Sequence, residues 1–157
     1  MAYEELTTAE RFDLLLRRER RYAPEAYDFL YEALDWTLQH VVGGPPEPEK
    51  HVTGKELLEG IRQLALNKFG LLARAVFEQW GIHKTDDWGQ IVFNLIDFDL
   101  LGRNESDSPE DFVDVYRFDE VFDLEPVIEY DEASGRFLVE YRRKRLEAEK
   151  ERPKARH

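Results

Sequence analysis

Cysteine is absent from all 157 residues. That excludes a disulfide scaffold, a thiolate zinc site and a cysteine nucleophile together. It also fits a reducing compartment. Long apolar runs are missing too. The longest compact stretches, such as Ile91-Val92-Phe93, fall far short of the roughly 20 residues a bilayer-spanning helix needs. The N-terminus reads Met-Ala-Tyr-Glu-Glu-Leu, without the basic and apolar regions of a signal peptide. These absences predict a cytoplasmic protein with no membrane association. Also missing are a phosphate-binding glycine loop, a nucleophile elbow and a dinucleotide fingerprint. No reaction and no cofactor is implied by any motif.

What is present is a sizeable apolar complement and a polarised charge. Ten Phe, seven Tyr and three Trp supply large core groups. A chain of this size buries roughly 70% of its unfolded surface, so it needs no metal or disulfide to fold. Net charge is −12. Residues 85–135 hold 16 acidic side chains against 2 basic, and residues 136–157 hold 9 basic against 4 acidic. An acidic body ending in a basic tail is a poor match for a phosphate backbone, which needs clustered Lys and Arg.

The apolar spacing predicts a mainly α domain over residues 1–141, with about five helices and a C-terminal β-hairpin. A charged tail, 142–157, follows as a solvated helix or disordered segment. Thr7 and Glu10 have capping-box spacing and open helix 1, at about 8–20. Pro24 suits the first turn of helix 2. Tyr27, Leu30, Tyr31, Leu34, Leu38 and Val41 continue it at helical period until Gly43-Gly44-Pro45-Pro46. Thr53 and Glu56 repeat the box and open helix 3, about 54–69. Helix 4 runs to Trp80, with Gly81 as its cap. Thr85 is read as the N-cap of helix 5, which runs to about Asp99, with Asp86 and Asp87 in its first turn. Ser108-Pro109 suits the start of a short helix. Val127 to Tyr130 and Phe137 to Tyr141, around Ser134-Gly135, read as a hairpin.

Four groups of residues invite a functional reading. First, Phe77 to Asp86 has the outline of a helix-turn-helix, with the hairpin as a wing. Its second helix, however, carries Asp86, Asp87, Asp97 and Asp99, which oppose DNA. An ordinary helical corner is the plainer reading. Second, Asp97, Asp99 and Gly102 fit positions 1, 3 and 6 of a calcium loop, but Leu101 and Ser108 fail at positions 5 and 12. That leaves an acidic surface loop. Third, no histidine among 40, 51, 83 and 157 has the i, i+4 partner of a helical zinc motif. His83 lies beside Asp86 and Asp87 and reads as an exposed turn residue. Fourth, Trp80 and Trp88 flank one turn and, with Trp36, offer an aromatic groove or plain core packing.

Three strings together carry a resemblance. They are Arg21-Tyr22 through Ala26-Tyr27 to Glu32-Ala33-Leu34; His51-Val52-Thr53-Gly54-Lys55-Glu56-Leu57-Leu58 with Phe69-Gly70-Leu71; and Trp80-Gly81-Ile82 with Gly89-Gln90-Ile91-Val92-Phe93-Asn94-Leu95-Ile96. Over residues 8–122 the chain resembles a small uncharacterised family, mainly of planctomycete and verrucomicrobial bacteria. The resemblance implies a bacterial source and imports no activity or site residue.

The sequence therefore predicts a non-enzymatic protein-interaction module, an adaptor or regulator. Its expected contact face is acidic, formed by Asp86, Asp87, Asp97 and Asp99 with Trp80, Trp88 and His83, and would attract a basic protein partner. Two other classes stand beside it: an enzyme or small-ligand protein with a carboxylate-rich site, and a winged-helix-like nucleic-acid binder.

Overall fold

The computed structural model describes residues 3, 5–43, 52–102 and 108–144. It is mainly helical with a C-terminal antiparallel hairpin, as the spacing predicts. Helix α1 spans Thr8–Arg18 and α3 spans Gly54–Phe69. Both begin at the expected boxes. Thr7 Oγ1 accepts the Glu10 N–H, and Glu10 Oε1 accepts the Thr7 N–H. Thr53 and Glu56 exchange the same pair of bonds. Each box satisfies N–H groups that a helix start leaves unpaired.

Helix α2 spans Pro24–Thr37 and widens into a π-helical turn, Leu38–Val42, before Gly43. The widening follows Thr37, which is fully buried and donates its hydroxyl to the Ala33 carbonyl. Such back-bonding occupies a helical acceptor and disturbs the ladder beyond it.

A 3₁₀ turn, Gly70–Leu72, leads into α4, Ala73–Gln79. The Ile82 N–H bonds the Phe77 carbonyl and the Gly81 N–H bonds the Glu78 carbonyl, which together form a Schellman motif. Gly81 takes φ +86°, and a Cβ there would lie 2.2 Å from the Arg21 carbonyl oxygen. Only glycine meets both demands. The turn is tied to α2 by the Ala23 N–H, which bonds the Trp80 carbonyl.

Helix α5 spans Thr85–Asp97. Thr85 is its first helical residue, not its cap, which corrects the sequence expectation by one position. The hydroxyl is committed elsewhere: it donates to the Phe112 carbonyl and accepts the Val115 N–H. The 3₁₀ turn Pro109–Phe112 begins at Ser108-Pro109 as expected. It seats Phe112 against Gly89, where a Cβ would lie 2.7 Å from the Phe112 Cβ. A single turn, α6, Phe118–Val121, brings Phe118 and Phe122 into the core.

The core is aromatic. Phe77 sits edge-on to Phe29, Trp88, Phe118 and Phe122 and stacks on Trp80. Burying rings of this size is the main source of stability here.

Strands β1, Leu124–Asp131, and β2, Arg136–Arg143, form a two-stranded sheet. Both are longer than the sequence suggests. Arg142 and Arg143, assigned to the tail, pair with Glu125 and Leu124. Residues 145–157 of that tail, His51, His157 and Glu105 of the acidic loop lie outside the described residues.

Candidate functional site

The fold does not use the four predicted aspartates alike. Asp86 and Asp87 sit at the start of α5, and Asp97 and Asp99 at its end. Eleven residues at 1.5 Å each put Asp86 and Asp97 roughly 16 Å apart, three turns along one side of the helix. Asp87 is a structural hub. Its carboxylate accepts the Tyr22 hydroxyl at 2.8 Å and the backbone N–H groups of His83 and Lys84 at 2.9 and 3.3 Å. Burial and this carboxylate push the Tyr22 hydroxyl well above the usual tyrosine range. Asp86 is half-buried and accepts the Asp114 N–H. Asp97 and Asp99 are exposed, and among the described residues neither forms an ion pair. Asp99 takes φ +55° to close a second Schellman motif, in which the Leu100 N–H bonds the Leu95 carbonyl.

The tryptophan groove is filled by the core. Trp88 is fully buried, so no partner reaches it, and among the described residues its indole N–H has no acceptor. Trp80 is half-buried. Both rings pack on Phe29 and Phe77. These same contacts bear on the winged-helix reading. Trp88, Ile91, Val92 and Leu95 of α5 are buried, as a core helix requires. A recognition helix buries one such stripe too, but offers its other face to a phosphate-lined groove, and α5 carries carboxylates and no cation there.

His83 is exposed and lies in a shallow depression of about 190 Å³ with Arg74, Lys84, Asp114, Arg117 and Asp119. A neighbouring depression of about 390 Å³ holds Arg74, Arg117, Asp119, Asp123, Arg143 and Lys144. Arg74 is paired with Asp123 and Glu78, and Arg117 with Asp119, whereas among the described residues Arg143, Lys144 and Asp114 form no ion pair. Among the described residues no group of His, Asp and Glu is arranged to hold a metal ion. No described helix is long and apolar enough to cross a membrane.

The strongest surface feature lies on the hairpin, at residues the sequence reading placed in strands but did not weigh as a site. The register sets Ile128 opposite Val139, Tyr130 opposite Phe137, and Pro126 opposite Tyr141. Directly opposed residues share a face of the sheet, and residues two apart along a strand share it too. One face is therefore apolar and aromatic from its tip to Tyr141, with Leu124 and Arg143 closing its inner end. Phe137 is 69% exposed, Ile128 61%, Tyr130 56%, Val139 53% and Tyr141 49%. The other face carries Glu125, Glu129, Asp131, Arg136, Glu140 and Arg142 around Val127 and the 51% exposed Leu138. The available signal was the period-2 alternation Pro126, Ile128, Tyr130 and Phe137, Val139, Tyr141. Tyr141 lies toward the inner end of the face. Its hydroxyl would lie 3.8 Å from a Cβ on Gly70, next to exposed Leu71 and Leu72.

No protein-family model, curated protein or solved structure matches this chain.

Proposed function

We propose that the chain is a protein-interaction module that docks through the apolar face of its C-terminal hairpin. One observation carries the reading: five large apolar side chains stand about half to two-thirds exposed together on one face of two strands, and all the strands' charges but Arg143, at the inner end, stand on the other. An isolated two-stranded hairpin is marginal in water, and usually a third strand or a packed layer completes it. A contiguous exposed apolar patch of this kind marks a contact surface. A capture experiment tests the reading. The full chain and its Phe137→Glu, Val139→Glu double variant are used as baits side by side. The native chain should retain protein that the variant loses. Identical capture by both, with the helical body intact by circular dichroism, would sink the proposal.

A second reading keeps the acidic contact, moved to the C-terminal end of α5. The exposure of Asp97 and Asp99 favours it. A basic partner would be steered there by the net charge of −12 and released by salt. Asp97→Lys with Asp99→Lys should then abolish salt-sensitive capture.

A further inference from the structure

We infer that the occupant of the hairpin's apolar face is a second copy of this chain, the two hairpins packing face to face about a twofold axis. This rests on the docking role proposed for that face and names its partner.

The rest of this sequence does not supply a cover. Outside the described residues its apolar side chains, prolines aside, are Met1, Ala2, Leu146, Ala148 and Ala155, set among charged and polar residues. That is too little to shield Ile128, Tyr130, Phe137, Val139 and Tyr141. A second hairpin brings an apolar face of equal size. With aromatic side chains of roughly 200 Å² each, the exposed fractions sum to roughly 600 Å² per copy. Two copies then bury roughly 1,200 Å², the lower bound for a specific interface. Tyr130 and Phe137, already in ring contact at 5.1 Å, supply rigid anchors.

Charge selects the face over the edges. Strand β1 carries Glu125, Glu129 and Asp131, and no cation. Pairing β1 with β1 of another copy sets carboxylates against carboxylates. Pairing β2 with β2 about Val139 sets Arg136 against Arg142. Like charges directly opposed destabilise a strand pair, and charged edges are a known guard against such pairing. Packing on the apolar face points these charges away from the interface. A twofold contact of this kind closes at two copies.

Salt separates this dimer from an electrostatic complex. Each copy carries −12, so two copies repel at long range. Screening that repulsion tightens the dimer as salt rises, whereas a basic partner would dissociate.

Sedimentation of the full chain at concentrations up to about 100 µM, in about 0.05 M and 0.5 M salt, tests the inference. The expected result is a dimer that tightens with salt. Phe137→Glu with Val139→Glu should weaken it about 100-fold or more, by placing four carboxylates in the contact. Leu138→Glu, on the charged face, should leave it intact. The cysteine-free sequence gives a second measurement without background. Val139→Cys should cross-link between copies through a short bifunctional maleimide, and Leu138→Cys should not. A native chain that stays monomeric overturns the inference. So does a dimer that survives Phe137→Glu with Val139→Glu, or an open series of larger species, which would mean edge pairing. If the monomeric native chain still captures a protein that the double variant loses, the docking role stands and the second copy alone is wrong. If that capture is absent too, both fall.

Discussion

Phe77 in the helical body is packed among Phe29, Trp80, Trp88, Phe118 and Phe122 and is fully buried. Phe137 in the hairpin meets the Tyr130 ring and is 69% exposed. Both belong to regular apolar patterns, one helical and one alternating. The difference lies in what lies across from them. In the body, α2, α4, α5 and the single turn α6 bring these rings together from several directions. In the hairpin the sheet ends at two strands, and nothing in the described chain covers its apolar side. A periodic pattern reports which side chains share a face. Whether that face is covered is decided by the elements around it.

The comparison breaks most readily at these two phenylalanines. Phe77→Ala should cost about 3–5 kcal/mol of unfolding free energy, because it leaves a cavity in a packed core. Phe137→Ala should cost less than about 0.5 kcal/mol in dilute protein, where the face meets water. Denaturant titration of both variants decides it. Equal losses would mean that the hairpin face is packed after all.

The next effect is the alkaline limit of the body. Burial raises the hydroxyl pKa values of Tyr22, Tyr27, Tyr31 and Tyr116, and the Asp87 carboxylate raises that of Tyr22 further. A raised folded value means the native state holds its proton more tightly than the unfolded chain. That contribution is fully present below the unfolded value of about 10 and is lost as pH rises beyond it. Thermal midpoints should therefore fall steeply above about pH 10. Tyr116→Phe removes the hydroxyl that donates to the Leu58 carbonyl and should flatten part of that fall. A midpoint unchanged between about pH 9 and 11 would contradict the burial of these groups.

Gly81→Ala is expected to cost about 2–4 kcal/mol. It combines a positive φ with a Cβ 2.2 Å from the Arg21 carbonyl oxygen. Gly135→Ala is the matching change in the hairpin. Gly135 also has a positive φ, +69°, but a Cβ there would meet only the Tyr130 hydroxyl, at 4.0 Å. The penalty should shrink to about 1 kcal/mol, the conformational part alone. Chemical unfolding that ranks them the other way would show the hairpin turn to be the more constrained region.

The features legible in the sequence were those with local causes. The boxes at Thr7 and Thr53 depend on a partner three residues on, and both form. The Gly81 stop depends on one helix end, and the strand alternation on neighbouring positions. Thr85 was misplaced because its hydroxyl serves Phe112, 27 residues away. Trp88 is taken into the core by Phe29 and Phe77, which arrive from other helices. Asp87 resembles any first-turn acid until Tyr22, 65 residues distant, is seen to donate to it. The predicted acidic face divides for the same reason into carboxylates bound within the fold and carboxylates left exposed. Adjacency on one helix does not say which carboxylates the rest of the fold has already bound.

That distinction gives the smallest effect and the finest test. Asp87→Ala removes the acceptor for the Tyr22 hydroxyl and for the His83 and Lys84 N–H groups at the start of α5. Losing a cap of this kind costs about 1–2 kcal/mol. Asp97→Ala removes an exposed carboxylate with no ion pair among the described residues, so stability should change by less than about 0.5 kcal/mol. In a capture experiment the order should reverse, because Asp97 is free to meet a basic partner and Asp87 is not. A loss of capture with Asp87→Ala at full stability, and none with Asp97→Ala, would move the acidic contact back to the start of α5. The Tyr22 bond would then be one that a partner displaces.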